Sequence, residues 1–271
     1  MDFVDYQVVD RVAVITLDRG DKANAQNRQM LDELNESWES AAASRDVRVI
    51  LMQANGRHFS AGMELSTGGE SSDAATPLPF SNTADITKTL AWRNVPKPSI
   101  AAVQGKCIAA GLLLCWPCDL IIAADNAEFS DPTARLGMAG VEYMAHVWEV
   151  GMRKAKEMLL RSTPITAAEA MSLGMVNRVV PLEDLRDEAM TWAREIAALD
   201  PTMAAVIKRT LNGTADIQGF TASIAHSFDI LEVAYALPTE HEGPVNVLEH
   251  MRDTNASVAA RKATRGGSAE D

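Results

Sequence analysis

The chain has 271 residues, 47% of them hydrophobic and 23% charged, with a formal net charge of −12. That length buries a full core, as one large domain or as one domain plus a smaller helical piece, and the composition is that of a globular protein. The acidic balance argues against nonspecific binding to nucleic acid or an anionic membrane as the main role, and the longest apolar run, Ile108–Trp116, is too short to span a bilayer.

Phe3–Val9 and Val12–Leu17 alternate apolar and polar residues around Asp10-Arg11, which predicts a hairpin. Asn27–Ala43 has helical spacing, with Met30, Leu31, Leu34 and Trp38 on one face and Asn27 as the N-cap. A strand is predicted over Val47–Gln53, a helix over Thr83–Trp92, and apolar strands over Ser99–Val103 and Leu120–Ala124. Helical segments follow near Val141–Leu160, Ala167–Leu173, Leu182–Leu199 and Pro201–Leu211. Strands alternating with helices indicate parallel βαβ units, and the strand-free stretch from about Pro201 indicates a helical C-terminal region. There the spacing Ile217, Phe220, Ile224, Phe228, Leu231, Tyr235 predicts a further helix with one buried face. Ser66–Pro79 is rich in Ser, Gly, Thr and Pro and reads as a long loop able to serve as a substrate lid, while the tail Asn255–Asp271 is expected to fray. No leader of basic and apolar residues opens the sequence, so a cytoplasmic location is the expectation.

Two turns carry the chemistry. An apolar strand at Ser99–Val103 runs through Gln104-Gly105 into the small-residue turn Ala109-Ala110-Gly111, and Phe59-Ser60-Ala61-Gly62-Met63-Glu64-Leu65 repeats the theme upstream. Small residues expose backbone N–H groups, and two such turns can each give one N–H to a single oxygen, forming an oxyanion hole. Arg19, Lys22, Arg57 and Lys97 fall near these turns and can offset the global negative charge for an anionic ligand. Cys115-Trp116-Pro117-Cys118 has the spacing of a redox motif but lies at the end of an apolar helix, where no N-terminal dipole lowers a thiol pKa. With Cys107, these cysteines read as buried apolar side chains.

In order and spacing these segments resemble the enoyl-CoA hydratase/isomerase (crotonase) superfamily: Val14–Arg19 with Asn24-Ala25, Ala61–Leu65, Lys97–Asp119, Phe129-Ser130-Asp131-Pro132 with Leu136-Gly137, Leu159 to Thr163, and Ala167–Ala170 with Leu173–Val176. The resemblance covers roughly residues 3–211. It implies an α/β fold with a crotonase-like core of repeated ββα units over residues 1–200, and a helical C-terminal region over 201–271 for oligomerisation or pocket cover. It also implies acyl-CoA thioesters as ligands, trimers or a dimer of trimers, no metal, and no cofactor beyond the coenzyme A of the substrate. The oxyanion donors it assigns are the N–H groups of Met63 and Ala110, and the coenzyme A turns are Lys22-Ala23-Asn24 and Ala61.

The sequence departs from that family where protons move. Where a hydratase has its two glutamates, this chain has Leu113 and Thr133, neither of which can act as an acid or base. The replacement candidates are Asp131, in the same turn as Thr133, and Glu142 with His146, which share a face if their segment is helical. The alternative is that Val141, Met144, Ala145 and Trp148 form an apolar face with Glu142, His146 and Glu149 as its solvated flank. Glu64 is expected to orient its loop, and His58 to be a surface residue. Three classes stay open: an acyl-CoA lyase or hydratase with a relocated acid/base, a hydrolase or decarboxylase of β-oxoacyl-CoA, and a silent acyl-CoA binder.

Overall fold

The hairpin at the N-terminus sets one edge of the main sheet. In the computed structural model, which describes residues 1–64, 82–136 and 138–235, β1 (Val4–Val9) pairs antiparallel with β2 (Val12–Leu17), and Val9 faces Val12 across the turn. Asp10 and Arg11 both have positive φ, 51° and 66°, the tight turn whose twist matches the flanking strands. The loop expected over 66–79 and the tail over 255–271 lie outside the described residues.

From β2 onward the sheet is parallel: β3 (Val49–Ala54), β4 (Ser99–Val103), β6 (Leu120–Ala124) and β9 (Arg178–Val180) follow in the order β1-β2-β3-β4-β6-β9. Both faces are covered, which is why the inner strands read as continuous apolar runs rather than alternating ones. One face receives α1 (Arg28–Ala43) through Met30, Leu34 and Trp38; the other receives α7 (Leu185–Ala197) through Leu185, Ala189 and Ala193. Asn27 caps α1 as expected, its Oδ1 accepting from the Met30 N–H at 2.9 Å. The Trp38 ring stacks on Trp92 of α2 (Asn82–Arg93), with centroids 5.7 Å apart.

A second sheet of three short strands, β5 (Lys106–Ile108), β7 (Glu128–Ser130) and β8 (Ile165–Thr166), stands beside the first. Each step of the chain lays one strand in the main sheet and the next in the small one. Thus β4 leads into β5 and α3 (Leu112–Cys115), and β6 into β7. The segment after β3 adds an isolated bridge from Ser60 to Cys107. This is the repeated ββα arrangement expected over the core.

The segment 141–160, expected as one helix, is split. Residues 141–145 are non-helical, and α4 (His146–Val150) and α5 (Met152–Arg161) meet at Gly151, whose φ of 75° breaks the run. The short α6 (Ala167–Ser172) precedes β9. At the C-terminal side, α8 (Pro201–Ile217) docks on the core by burying Lys208, whose Nζ donates to Lys97 O at 3.0 Å and pairs with Asp119 at 2.8 Å. In α9 (Phe220–Tyr235), Phe220, Ile224 and Leu231 are buried as the spacing predicts, but Ile217, placed on the same face in sequence, is 91% exposed because the chain breaks at Gly219.

Candidate active site

The two small-residue turns meet backbone to backbone. Ser60 N–H donates to Lys106 O at 3.1 Å and Ile108 N–H to Ser60 O at 3.0 Å. This strand-like register brings Gly62 against Ala110. A Cβ placed on Gly62 would stand 2.7 Å from Ile108 O and 3.3 Å from the Ala110 nitrogen, and one on Gly111 would stand 2.8 Å from Ser60 O. Gly62 also has φ +90°, a conformation that side chains disfavour. Only glycine allows this approach. Across it, Ala109 adopts a left-handed conformation (φ 48°) that turns the chain into the short helical turn Ala109–Gly111. The N–H groups of Met63 and Ala110 find no protein acceptor among the described residues.

Side chains hold the upstream turn in place. The buried Ser60 hydroxyl donates to Asn24 O at 2.8 Å and accepts from Gln26 Nε2 and from the Gly62 N–H. Gln26 N–H donates to Gly62 O, and Glu64 N–H to Gln26 O, both at 2.8 Å. Arg19 grips Glu64 with two contacts of 2.9 and 3.1 Å and also donates to Ala25 O. The Arg19 hydrogen bonds hold the Glu64 carboxyl below the usual carboxylate range, against the smaller opposing effect of burial. Glu64 thus orients its loop, as the sequence indicated. The expected coenzyme A turns are brought together too: Ala61 N–H donates to Ala23 O at 2.9 Å. Lys22 is exposed beside them, whereas the Asn24 side chain is buried and spent on Arg19 N, Asn55 O and His58 O, leaving none of its polar atoms to reach outward.

Leu113 and Thr133 are both buried, and Thr133 is engaged with the neighbouring acid: its hydroxyl donates to Asp131 Oδ1 at 2.5 Å and its N–H to the same oxygen at 3.1 Å. Asp131 Oδ2 accepts from the Val141 N–H at 3.3 Å and lies 3.1 Å from His146 Nε2, both side chains being fully buried. Burial pushes the Asp131 carboxyl up, but His146 and the two Thr133 donors outweigh it and leave the acid below its ordinary range. Asp131 is therefore an anion whose Oδ2 stands beside the imidazole.

Three expectations are corrected here. Glu142 is not on a helix with His146, because α4 starts only at His146; the helical face they were to share does not exist. His146 is not on a solvated flank but in the interior, its ring edge-on to Trp116 with centroids 4.7 Å apart. His58 is half-buried rather than exposed, its Nδ1 accepting from Lys106 N–H at 3.1 Å. The cysteines are buried as expected, and the near pair is Cys107 with Cys115, Sγ to Sγ 3.8 Å, rather than Cys115 with Cys118. Burial pushes the Cys118 thiol up to about 12 and raises Cys115 as well, which makes both inert.

The sequence reading passed over Glu149 as flank. It lies one turn beyond His146 on α4, and desolvation pushes its carboxyl up to about 8. With the helix start at His146 known, His146, Glu149 and Val150 share its inner side by their three-and-four spacing. Among the described residues no cluster of His, Cys, Asp or Glu could hold a metal ion, and no helix is long and apolar enough to cross a membrane.

Comparison with known proteins bears on the family and the fold. The profile of the enoyl-CoA hydratase/isomerase family matches residues 8–252. A Mycobacterium tuberculosis protein named as an enoyl-CoA hydratase, EchA13, is 40% identical over 259 residues, which is 87% of this chain and 81% of that one. The crystal structure of a probable enoyl-CoA hydratase from Mycobacterium thermoresistibile superposes with a TM-score of 0.80 at 50% identity, covering 86% of this chain and 97% of that one. An enoyl-CoA hydratase/isomerase from Xanthobacter autotrophicus Py2 gives 0.80 at 31% identity, with 97% and 98% covered. By its paired turns, its two-sheet core and these likenesses, the chain belongs to the enoyl-CoA hydratase/isomerase family.

Proposed function

We propose that the protein acts on acyl-CoA thioesters, holding the thioester oxygen between the Met63 and Ala110 N–H groups and stabilising the negative charge that develops on it. The observation that supports this reading is the packing of Gly62 against Ala110, which brings into contact two turns that each carry an N–H without a protein acceptor among the described residues. Donors aimed at a developing oxyanion contribute about 3 kcal/mol each. Coenzyme A would lie along Lys22-Ala23-Asn24 and Ala61, on backbone groups and the exposed Lys22.

The reaction differs from ordinary hydration. Leu113 and Thr133 cannot hold and split a water between two carboxylates, so proton transfer falls to His146, oriented by Asp131, with Glu142 as the remaining candidate on the same segment. A lyase or hydratase with this relocated base is the first reading. The second, a hydrolase or decarboxylase of β-oxoacyl-CoA passing through the same enolate, is favoured by the single buried Asp131–His146 pair, which suits one base better than two carboxylates on one water. A silent binder is disfavoured by the same pair. We further propose a soluble cytoplasmic enzyme of fatty acid metabolism assembled as a trimer or dimer of trimers. The apolar stripe Met203, Val206, Ile207 and Leu211 on the outer side of α8 supports the assembly.

The test is incubation with enoyl-, β-oxo- and β-hydroxyacyl-CoA esters followed by mass spectrometry, then His146→Ala and Glu142→Gln on the substrate found. Loss of a general base lowers turnover about 10²–10⁴-fold. Brisk hydration of crotonyl-CoA by the parent protein would refute the reading of Leu113 and Thr133. Activity gained only by the Leu113→Glu/Thr133→Glu double variant would make the parent a silent binder.

A further inference from the structure

A backbone N–H serves a ligand oxygen only if it points at that oxygen, so each donor of a pair needs something to fix its peptide plane. In a trans peptide the C=O and the following N–H lie in one plane and point in opposite directions. The plane that carries the Ala110 N–H is held through Ala109 O, which accepts from the Leu112 N–H at the entry to α3. Backbone alone aims that donor. The plane that carries the Met63 N–H begins at Gly62, whose φ of +90° and missing Cβ make it the freer of the two.

Two bonds hold Gly62. Its O accepts from the Gln26 N–H at 2.8 Å, which turns the Met63 N–H away from Gln26, and its own N–H donates to Ser60 Oγ at 3.2 Å. The Ser60 hydroxyl is fully buried and used to capacity: it also accepts from Gln26 Nε2 at 3.1 Å and donates to Asn24 O at 2.8 Å. Gln26 is buried too, and it grips the turn twice, through its backbone at Gly62 and through its side chain at Ser60. Asn24 belongs to the turn expected to carry coenzyme A.

We propose that Ser60 and Gln26 are positioning residues that aim the Met63 N–H at the thioester oxygen and tie its direction to the coenzyme A turn. This rests on the acyl-CoA reading given above. Neither side chain touches the ester; both act through the Gly62–Met63 peptide. Without the Ser60 hydroxyl, the Gly62 N–H, Asn24 O and Gln26 Nε2 lose the atom that joins them, and the peptide after Gly62 is free to turn. The ester then still binds through coenzyme A and the Ala110 N–H, with its carbonyl polarised by one donor instead of two.

The experiment is infrared difference spectroscopy of the full-length protein with hexanoyl-CoA labelled with carbon-13 at the thioester carbonyl, which reads the polarisation of that bond directly. In the wild-type protein the C=O stretch is expected below that of the free ester. Ser60→Ala is expected to lose a large part of this downshift and Gln26→Leu a smaller part, while hexanoyl-CoA affinity falls by less than about tenfold, as for one hydrogen bond. Ser37→Ala is the control: it deletes another fully buried serine hydroxyl, bonded to Glu33 O at 2.8 Å within α1, and is expected to lower Tm without moving the stretch. Should Ser60→Ala not fold, Gln26→Leu carries the test. A downshift kept in full by every folded variant of the pair, or lost equally in Ser37→Ala, overturns the proposal while leaving the acyl-CoA reading intact. Hexanoyl-CoA bound by the wild-type protein with no downshift refutes the paired donors and the proposal with them, and no binding refutes the acyl-CoA reading itself.

Discussion

The close approach of Gly62 to Ala110 can be measured against a glycine that shares its backbone conformation but not its neighbours. Gly62 has φ +90°, and its missing Cβ would fall 2.7 Å from Ile108 O; Gly174 has φ +85° and nothing within 4 Å of the same position. Replacing either by alanine forces a side chain into left-handed backbone, at about 1–2 kcal/mol, partly offset by the roughly 0.4–1 kcal/mol gained from a less flexible unfolded chain. Gly174→Ala should therefore cost about 1 kcal/mol or less. Gly62→Ala adds a collision with backbone that cannot rotate away, for about 1–3 kcal/mol more. In a chain of this size each kcal/mol lowers Tm by about 2–4 °C. Gly62→Ala is also expected to part the Met63 and Ala110 N–H groups and weaken acyl-CoA binding, whereas Gly174→Ala leaves binding unchanged. Thermal unfolding and acyl-CoA titration of both variants provide the comparison. Equal losses of Tm together with equal affinities would refute the claim that the two turns meet at Gly62.

Further expectations concern charge. Asp131→Ala removes the acceptor of Thr133 and Val141 and strips His146 of its counter-charge, so it should cost about 3–5 kcal/mol, read from chemical unfolding. Glu149 is raised to about 8 in the folded protein, so the folded state holds a proton that the unfolded chain releases near its ordinary carboxyl range. Stability should thus decline as pH rises from that range to about 8 and level off above it, and Glu149→Gln should flatten the profile of unfolding midpoint against pH. Glu64 has the opposite sign: its lowered value contributes stability that is present above the ordinary carboxyl range and is lost as pH falls through the lowered one. Glu64→Gln should abolish that acid-side loss and weaken acyl-CoA affinity a few-fold by loosening the Met63 turn.

Much of the architecture follows from local rules that a sequence carries. The positive-φ hairpin at Asp10-Arg11, the Asn27 cap, the apolar strands at Ser99–Val103 and Leu120–Ala124, and the paired small-residue turns all express short-range geometry, so their residues announce them. The motif order around them was enough to name the family. The small sheet was not legible, because strands of two or three residues such as Ile165–Thr166 have no period to detect and exist only through their partners. The break at Gly151 and the late start of α4 escaped for a related reason: the apolar residues of 141–160 suit a helix, and tertiary contacts to Asp131 and Trp116 decide where it begins. Sequence alone determined that Leu113 and Thr133 carry no acid, since a side chain's chemistry needs no partner to be known. That Asp131 faces His146, that Arg19 clamps Glu64 and that Glu149 is driven toward neutrality depend on burial and on neighbours remote in the chain, and only the tertiary structure supplies those.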